Sequence, residues 1–139
     1  MNKKMDNKGF SLVELIIVIA IMAILVGVLA PQFIKYIESS RQSTDISAAS
    51  EYRAAVEAYV ADHGSGSDIT VTVSGNTLYS SVDLSDIGLS NASANATPLK
   101  SSGWSDGEVA KYNVTSFKWS SSYGNNSKAP QKSLKAAFE

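Results

Sequence analysis

Apolar and polar positions divide the chain into a long apolar N-terminal segment and a mixed, largely polar remainder. The apolar run covers residues 10–30, and from residue 15 onward it contains no charged or strongly polar side chain. Its length predicts one helix that could cross a bilayer, whose hydrocarbon core needs about 20 apolar residues. Lys3, Lys4 and Lys8 precede the run, which favours a cytoplasmic N-terminus with the bulk of the chain outside.

Two ordinary targeting segments are alternatives for this run. A secretory signal peptide has an apolar region of about 7–15 residues followed by a small-residue cleavage site. The present run is longer and continues into a helical pattern without a clear site of that kind. A simple signal anchor would explain the length and the orientation, but it leaves Glu14 without a reason.

Helical spacing continues beyond the apolar run. Apolar residues recur at three and four positions up to Val60, which predicts a helix that reaches Asp62 and ends at His63-Gly64. Measured from Phe10, such a helix would be about 80 Å long. We interpret its charged positions as a solvated surface; they are Glu38, Arg41, Asp45, Glu51, Arg53, Glu57 and Asp62. The apolar stripe comprises Ala48, Tyr52, Ala55, Val56, Tyr59 and Val60.

Gly27 and Pro31 form a weak point in the predicted helix. The ring of Pro31 clashes with the carbonyl of Gly27, and Pro31 has no N–H to donate to it. Glycine is itself a poor helix former. The pair predicts a kink or a segment that can extend, although a generic transmembrane kink would give the same pattern.

The region after Gly64 predicts a small antiparallel sheet. Apolar residues alternate over 69–73, Gly75-Asn76 predicts a two-residue hairpin turn, and 78–82 predicts the returning strand. Residues 84–89 predict a turn or short helix, and 90–102 a loop without periodicity.

Further strands are predicted over residues 109–114 and 117–121. The apolar residues are even-numbered at the end of the first run and odd-numbered in the second. A strand keeps one numbering parity on each face, so a turn or bulge is required near Thr115-Ser116. Residues 128–139 fit either a terminal helix or a disordered tail. The expected fold class is α+β: a long N-terminal helix whose second half packs on a small antiparallel sheet.

Charge and composition exclude several classes of site. The chain has 12 basic and 13 acidic residues, a net charge of −1, one histidine and no cysteine. Disulfides, thiolate sites and multi-histidine metal sites within one chain are therefore excluded. No basic stripe suggests nucleic-acid binding, and no Ser–His–acid or phosphate-binding motif suggests an enzyme.

Weaker candidates lie in the polar region, and the commoner structural explanation is preferred for each. Acidic residues that could bind calcium are more typical of turns, aromatic residues that could stack on sugar are more typical of a core, and four glycosylation sequons are expected by chance. We predict no catalytic, cofactor or metal site. The three sets are Asp83, Asp86, Asp106 and Glu108; Trp104, Trp119 and Tyr123; and Asn91, Asn95, Asn113 and Asn125.

Glu14 is the charge that most needs an explanation. A carboxylate inside a membrane costs about 2.5–3.5 kcal/mol on insertion scales, and less near the interface. Either Glu14 lies close enough to the end to reach the headgroups or to carry a proton, or it pairs with a positive charge inside an assembly.

Residues 8–15, KGFSLVEL, together with the apolar run after them, resemble the class III leader of type IV prepilins. Members of that family have a glycine before the cut, an aromatic residue after it, and a glutamate where Glu14 stands. The resemblance implies a leader at 1–9, a transmembrane and assembly stem at 10–31, an amphipathic continuation at 32–63 and a head at 64–139. It also implies cleavage between Gly9 and Phe10, methylation of the Phe10 amine, and pairing of that amine with Glu14 of a neighbouring subunit. In related pilins the region of Gly27 and Pro31 loses helicity in the filament.

The function implied by the resemblance is that of a structural subunit of a type IV pilus-like filament, not an enzyme. The implied partners are other copies of the chain, a prepilin peptidase and methyltransferase, an assembly platform with its ATPase, and membrane lipid before assembly; no nucleic acid is expected. Alternatives are a pseudopilin of a type II secretion-like system and a minor pilin for adhesion or DNA uptake. Because many Gram-negative pilins close a loop with a disulfide, the absence of cysteine suggests a Gram-positive filament or a pseudopilin. Motility, adhesion, uptake and secretion all remain open as the filament's task.

Overall fold

The computed structural model describes residues 9–64, 66–82, 96–121 and 124–139. The chain forms two compact units, one ending at Ile34 and the other, called the head unit below, running from Lys35 to Glu139. A single helix, α1 (Leu12–His63), contributes to both. The head unit adds a five-stranded antiparallel sheet, which confirms the α+β class.

Helix α1 ends where the sequence predicts. Gly64 has a φ of 62°, which glycine adopts without strain, and its N–H donates to the carbonyl of Val60 at 3.0 Å. Pro31 lies inside α1, and the helix is continuous across it. The bend predicted at Gly27 and Pro31 stays a prediction.

The first unit presents its apolar side chains outward. All of its described residues, from Gly9 to Ile34, are exposed. By length and composition α1 includes a stretch that could cross a membrane, and none of that stretch is buried. This unit therefore carries a large apolar surface that the isolated chain leaves uncovered.

The sheet has the strand order β3-β2-β1-β4-β5, and every neighbouring pair is antiparallel. In β1 buried side chains alternate with half-buried or exposed ones, as the period of two predicts. The strands are β1 (Ile69–Ser74), β2 (Thr77–Ser80), β3 (Ala96–Pro98), β4 (Gly107–Asn113) and β5 (Lys118–Ser121).

Both predicted turns are confirmed. Gly75 and Asn76 have φ values of 54° and 62°, and two positive values are what a type I′ hairpin turn requires. Between β4 and β5 the side-chain oxygen of Asn113 accepts the N–H groups of Thr115 at 3.1 Å and Ser116 at 2.7 Å. A side-chain acceptor of this kind fixes a tight turn. The turn explains why the apolar residues are even-numbered before it and odd-numbered after it.

Strand β3 differs from the prediction, which gave residues 90–102 as a loop. Among the described strands this one lies at the edge of the sheet, next to β2. Edge pairing uses backbone groups and needs no alternating side chains, and Pro98 is tolerated there because an edge strand leaves some N–H positions unpaired. The turn or helix predicted over 84–89 lies outside the described residues.

The core of the head unit joins α1, the sheet and the C-terminus. The stripe on α1 contributes Tyr52 and Val56, which are fully buried against the inner face of the sheet. The chain ends in a short 3-10 helix (Leu134–Phe138), so the first of the two alternatives for the tail is the one observed. Phe138 is 1% exposed, and its ring centroid lies 5.0 Å from that of Trp119.

Candidate functional site

The first turn of α1 is closed by a reciprocal pair of hydrogen bonds. Ser11 Oγ accepts the backbone N–H of Glu14 at 3.3 Å, and Glu14 Oε2 accepts the backbone N–H of Ser11 at 3.1 Å. This arrangement is a capping box, which satisfies two donors that a helix start leaves unpaired. The capping box was not predicted, although Ser-x-x-Glu directly before an apolar run is its signature.

The capping box gives Glu14 a partner within its own chain. The carboxylate lies at the positive end of the helix dipole, one turn after Phe10, and is exposed there. Phe10 is also exposed, at 79% of its surface. The structure thus places both predicted assembly residues at the start of α1, while their roles in assembly stay predictions.

Gly9, Gly27 and Pro31 are exposed as well. A Cβ added at Gly9 or Gly27 would meet no atom within 4 Å. Packing within the described chain therefore gives no reason for a glycine at either position. Any requirement for glycine there must come from the backbone itself or from another molecule.

A second polar site lies in the head unit, where Asp45 is only 1% exposed. Its carboxylate accepts the backbone N–H of Lys100 at 2.7 Å, the backbone N–H of Ser101 at 2.8 Å and the indole N–H of Trp104 at 2.8 Å. The prediction of a solvated Asp45 is therefore wrong. This carboxylate holds the segment after β3 against α1.

Glu38 and Gln42 extend the same attachment. Glu38 is 7% exposed and accepts from the Ser101 hydroxyl and from Gln42 Nε2. Gln42 is fully buried; its Nε2 donates to the carbonyl of Lys128 at 3.1 Å, and its Oε1 accepts the N–H of Lys132 at 3.1 Å. We call Glu38, Gln42 and Asp45 the polar anchor. It fastens two loops, around residues 100–104 and 126–132, to α1.

Glu38 was also predicted to be solvated, and that prediction is wrong for the same reason. The anchor positions continue the helical period of the buried stripe toward the N-terminus, through Ala49 and Tyr52. This continuity was not predicted, because polar side chains at helix positions are usually exposed to solvent. The spacing alone was the signal that could have found it.

Comparison with known proteins identifies the family. Residues 4–30 match the family described as the prokaryotic N-terminal methylation motif. The chain is 34% identical to fimbrial protein EcpC of Eikenella corrodens over 129 residues, which cover 84% of this chain and 82% of EcpC. The chain belongs to the type IV pilin family. Both the recognition made from residues 8–15 and the predicted pilin-like fold agree with this result.

This pilin also resembles a type IV major fimbrial protein, FimA, of Dichelobacter nodosus. The two are 40% identical over 62 residues, which cover 45% of this chain and 40% of FimA. The aligned part thus spans less than half of the FimA relative. No solved structure matches the pilin significantly.

Four of the remaining candidates in the pilin head have structural roles, whereas Glu108 and Asn125 are exposed. Asp106 Oδ1 accepts the N–H of Gly75 and supports the β1–β2 turn, and Asn113 shapes the β4–β5 turn. Trp104 and Trp119 contribute to the core. Within the described ranges no group of three or more metal-ligating side chains comes together. Asp83, Asp86, Asn91, Asn95 and Tyr123 lie outside the described residues.

The polar anchor should make the stability of the head unit depend on pH. The hydrogen bond from Ser101 is the main cause that lowers the pKa of Glu38 below its usual 4.5; burial opposes it, while Gln42 and the positive charges of Lys128 and Arg41 add to it. A lowered pKa stabilises the folded state fully above the unfolded value, and the gain is lost as pH falls through the folded value.

We therefore expect the urea concentration that half-unfolds the head unit, its urea midpoint, to fall as pH drops below about 4.5. Glu38→Gln should lower the midpoint at neutral pH and reduce the loss in acid, since this carboxyl no longer titrates. Urea titrations of both proteins across this pH range measure the difference, which cancels the shared contribution of other carboxylates. Parallel curves for the two proteins would contradict the assignment to Glu38.

Proposed function

We propose that this pilin is a structural subunit of a type IV pilus-like surface filament, assembled through the N-terminal half of α1. The observation that carries the proposal is the methylation motif over residues 4–30, placed at the start of a helix whose apolar side chains are all exposed as far as Ile34. An apolar surface of this size requires a cover, because soluble monomers rarely expose one. A bilayer covers it before assembly, and neighbouring stems cover it afterwards.

Processing divides the chain into a leader at 1–9, a stem at 10–31, an amphipathic continuation at 32–63 and a head at 64–139. A prepilin peptidase cuts between Gly9 and Phe10 and methylates the new amine. The open surroundings of Gly9 support this role, because the absence of a Cβ lets an extended backbone enter an enzyme groove. Gly27 and Pro31 let the stem bend or extend during assembly.

Each subunit is a single-pass protein of the cytoplasmic membrane before assembly, with its N-terminus inside. An assembly platform and its ATPase extract it, and copies of the chain polymerise into an extracellular filament. No enzymatic activity is proposed, since the relatives are named as fimbrial proteins. Those names favour a filament subunit over a pseudopilin or a minor adhesive or DNA-uptake pilin.

The mature N-terminus tests this proposal directly. Mass spectrometry of the protein purified from its own membrane or filaments should show a chain that starts at Phe10 and carries one added methyl group. A chain that starts at Met1, or one that starts after Ala30, would contradict prepilin processing.

A further inference from the structure

The turn between β4 and β5 carries a large apolar side chain that the described part of the head unit leaves uncovered. Phe117 is 68% exposed, and its φ is 54°. That backbone conformation is disfavoured for a bulky residue, because Cβ comes close to the following carbonyl oxygen. Glycine or asparagine would adopt it with less strain. The backbone therefore disfavours a phenylalanine here, and burial within the described chain does not compensate for it.

Hydrogen bonds show which end of the sheet holds this turn. The N–H of Val114 donates to Asp68 Oδ1 at 3.3 Å, so the β4–β5 turn lies where α1 has ended and β1 begins. The β1–β2 turn lies at the other end of β1, where Gly75 N donates to Asp106 Oδ1 at 3.1 Å. We call the end with Phe117 the aromatic end and the end with Asp106 the acidic end. The length of β1, about 16 Å, separates them.

The outer face of the sheet, which is turned away from α1, carries opposite charges at these two ends. Glu108 pairs across to Thr72, which lies between two buried residues of β1 and therefore faces outward. Lys118 faces outward as well, because the next residue, Trp119, packs against the core. Both charged residues are exposed, Glu108 toward the acidic end and Lys118 at the aromatic end. Neither forms an ion pair with another described residue.

Neighbouring charges leave this contrast in place. At the aromatic end Lys111 adds a second cation, which Asp68 offsets at 3.9 Å, and Asp62 belongs to α1 and not to the outer face. Lys100 lies toward the acidic end, but Asp45 of α1 binds its N–H, so it follows the inner side of the sheet. The outer face of the sheet is therefore negative at one end and positive at the other.

The acidic end also offers a surface on which an aromatic ring can lie. Gly75 and Gly107 are both exposed, and a Cβ added to either would meet no atom within 4 Å. Gly107 stands between Asp106 and Glu108 in the chain, and both carboxylate residues are exposed. Bare backbone is thus flanked by negative charge. The two glycines have φ values of 54° and 141°, which favour glycine, so the turn itself keeps this surface bare.

We propose that the aromatic end of one head unit docks on the acidic end of the next copy. The ring of Phe117 lies over the two glycines, and the ammonium group of Lys118 lies beside Glu108. This inference rests on the proposed function, because it takes the partner to be another subunit of the filament. A second copy fits because one chain carries both complementary ends, which are too far apart to meet within it. A contact between two different surfaces of identical subunits can repeat from copy to copy, as a filament requires.

Replacement of Phe117 separates docking from a role in the turn. Asparagine accepts a φ of 54° more readily, so Phe117→Asn should leave unchanged or raise the urea midpoint of the full-length subunit in detergent. The ratio of docked to undocked head units should nevertheless fall about tenfold or more, because the contact loses a buried aromatic side chain. A lower urea midpoint together with normal docking would assign Phe117 to the turn and overturn the proposal.

Cross-linking within filaments tests the contact itself. Because the sequence has no cysteine, Thr115→Cys marks the aromatic end and Ser74→Cys the acidic end, both at exposed residues. A thiol cross-linker shorter than β1 cannot join these positions within one chain, so any bridge between them links two copies. Filaments sheared from cells that express the double-cysteine protein should give dimers and higher oligomers on denaturing gels. Each single-cysteine protein should remain monomeric, because the two ends of the contact differ.

Matched variants test the partner surface and the charge pair. Thr115→Cys with Ser50→Cys moves the second cysteine to an exposed residue of α1 and should give no cross-link. In the Thr115–Ser74 background, Lys118→Glu should reduce cross-linking up to about fivefold, the range of an exposed ion pair. Glu108→Lys added to Lys118→Glu should restore it, because opposite charges then face each other again in exchanged positions.

The remaining outcomes distinguish the possible failures. Filaments without a cross-link between Thr115→Cys and Ser74→Cys would overturn the docking contact but leave the proposed function intact. Equal cross-linking to Ser50→Cys would overturn the acidic end as the partner surface. A loss in Lys118→Glu that Glu108→Lys does not restore would overturn the charge pair and with it the proposed register. Cells that express the unaltered chain and form no filaments would contradict the proposed function itself.

Discussion

Asp45→Ala should destabilise the head unit by about 3 kcal/mol, since it removes one acceptor that serves three buried or half-buried donors. The N–H groups of Lys100 and Ser101 and the indole N–H of Trp104 would lose their partner in a site that water does not reach readily. The alanine variant no longer has a carboxylate to remove from water, and the desolvation energy saved in this way offsets part of the cost. The remainder is a large fraction of the about 5–15 kcal/mol that stabilises an ordinary domain.

Urea unfolding of a protein that begins at Gln32, and so omits the exposed stem, measures this effect. Tryptophan fluorescence is a suitable signal because Trp104 is part of the site. Asp62→Ala is the matched control: the same substitution in the same helix, at an exposed residue, should change stability by less than about 0.5 kcal/mol. If Asp45→Ala were as mild as Asp62→Ala, the polar anchor would not be what holds the loops to α1.

Periodic patterns made most of the head unit predictable. The recurrence of apolar residues at three and four positions identified the stripe around Tyr52 and Val56, and the alternation from Ile69 identified β1. Gly75-Asn76 identified a type I′ turn, because few other residue pairs accept two positive φ values. In each case a local rule of geometry fixes which residue types are possible.

The polar anchor shows where such rules fail. Asp45 occupies a buried helical position, but its residue type alone indicates solvent, and only a partner far along the chain makes the burial favourable. The N–H groups that bind it come from Lys100 and Ser101, at the end of a stretch without periodicity. No local pattern reports that a backbone more than 50 residues away will supply the donors. Strand β3 was not predicted for a related reason: it pairs with β2 through backbone groups, which leave no pattern in the side chains.

Glu14 presents the opposite difficulty, because a role in an assembly was predicted for it and its local role as a helix cap was not. Its carboxylate caps its own helix through Ser11, and as a pilin residue it is also expected to neutralise the Phe10 amine of a neighbour. The two roles predict different consequences of substitution. A helix cap contributes about 0.5–2 kcal/mol, whereas removing one member of a buried charge pair costs about 3–5 kcal/mol.

Glu14→Ala should therefore be produced and inserted but should not enter filaments efficiently, with the subunit-addition equilibrium lowered by about two to four powers of ten. Glu14→Gln separates the two roles, because glutamine can close a capping box but carries no charge. We expect Glu14→Gln to fail in assembly nearly as fully as Glu14→Ala, and Ser11→Ala, which weakens the cap but keeps the charge, to assemble with a modest loss. Filaments sheared from cells that express each variant alone, compared with the amount of processed subunit in the membrane, give the measurement. Normal filament yield from Glu14→Gln, together with a severe defect in Ser11→Ala, would assign Glu14 to helix capping and remove the charge pair from the account of assembly.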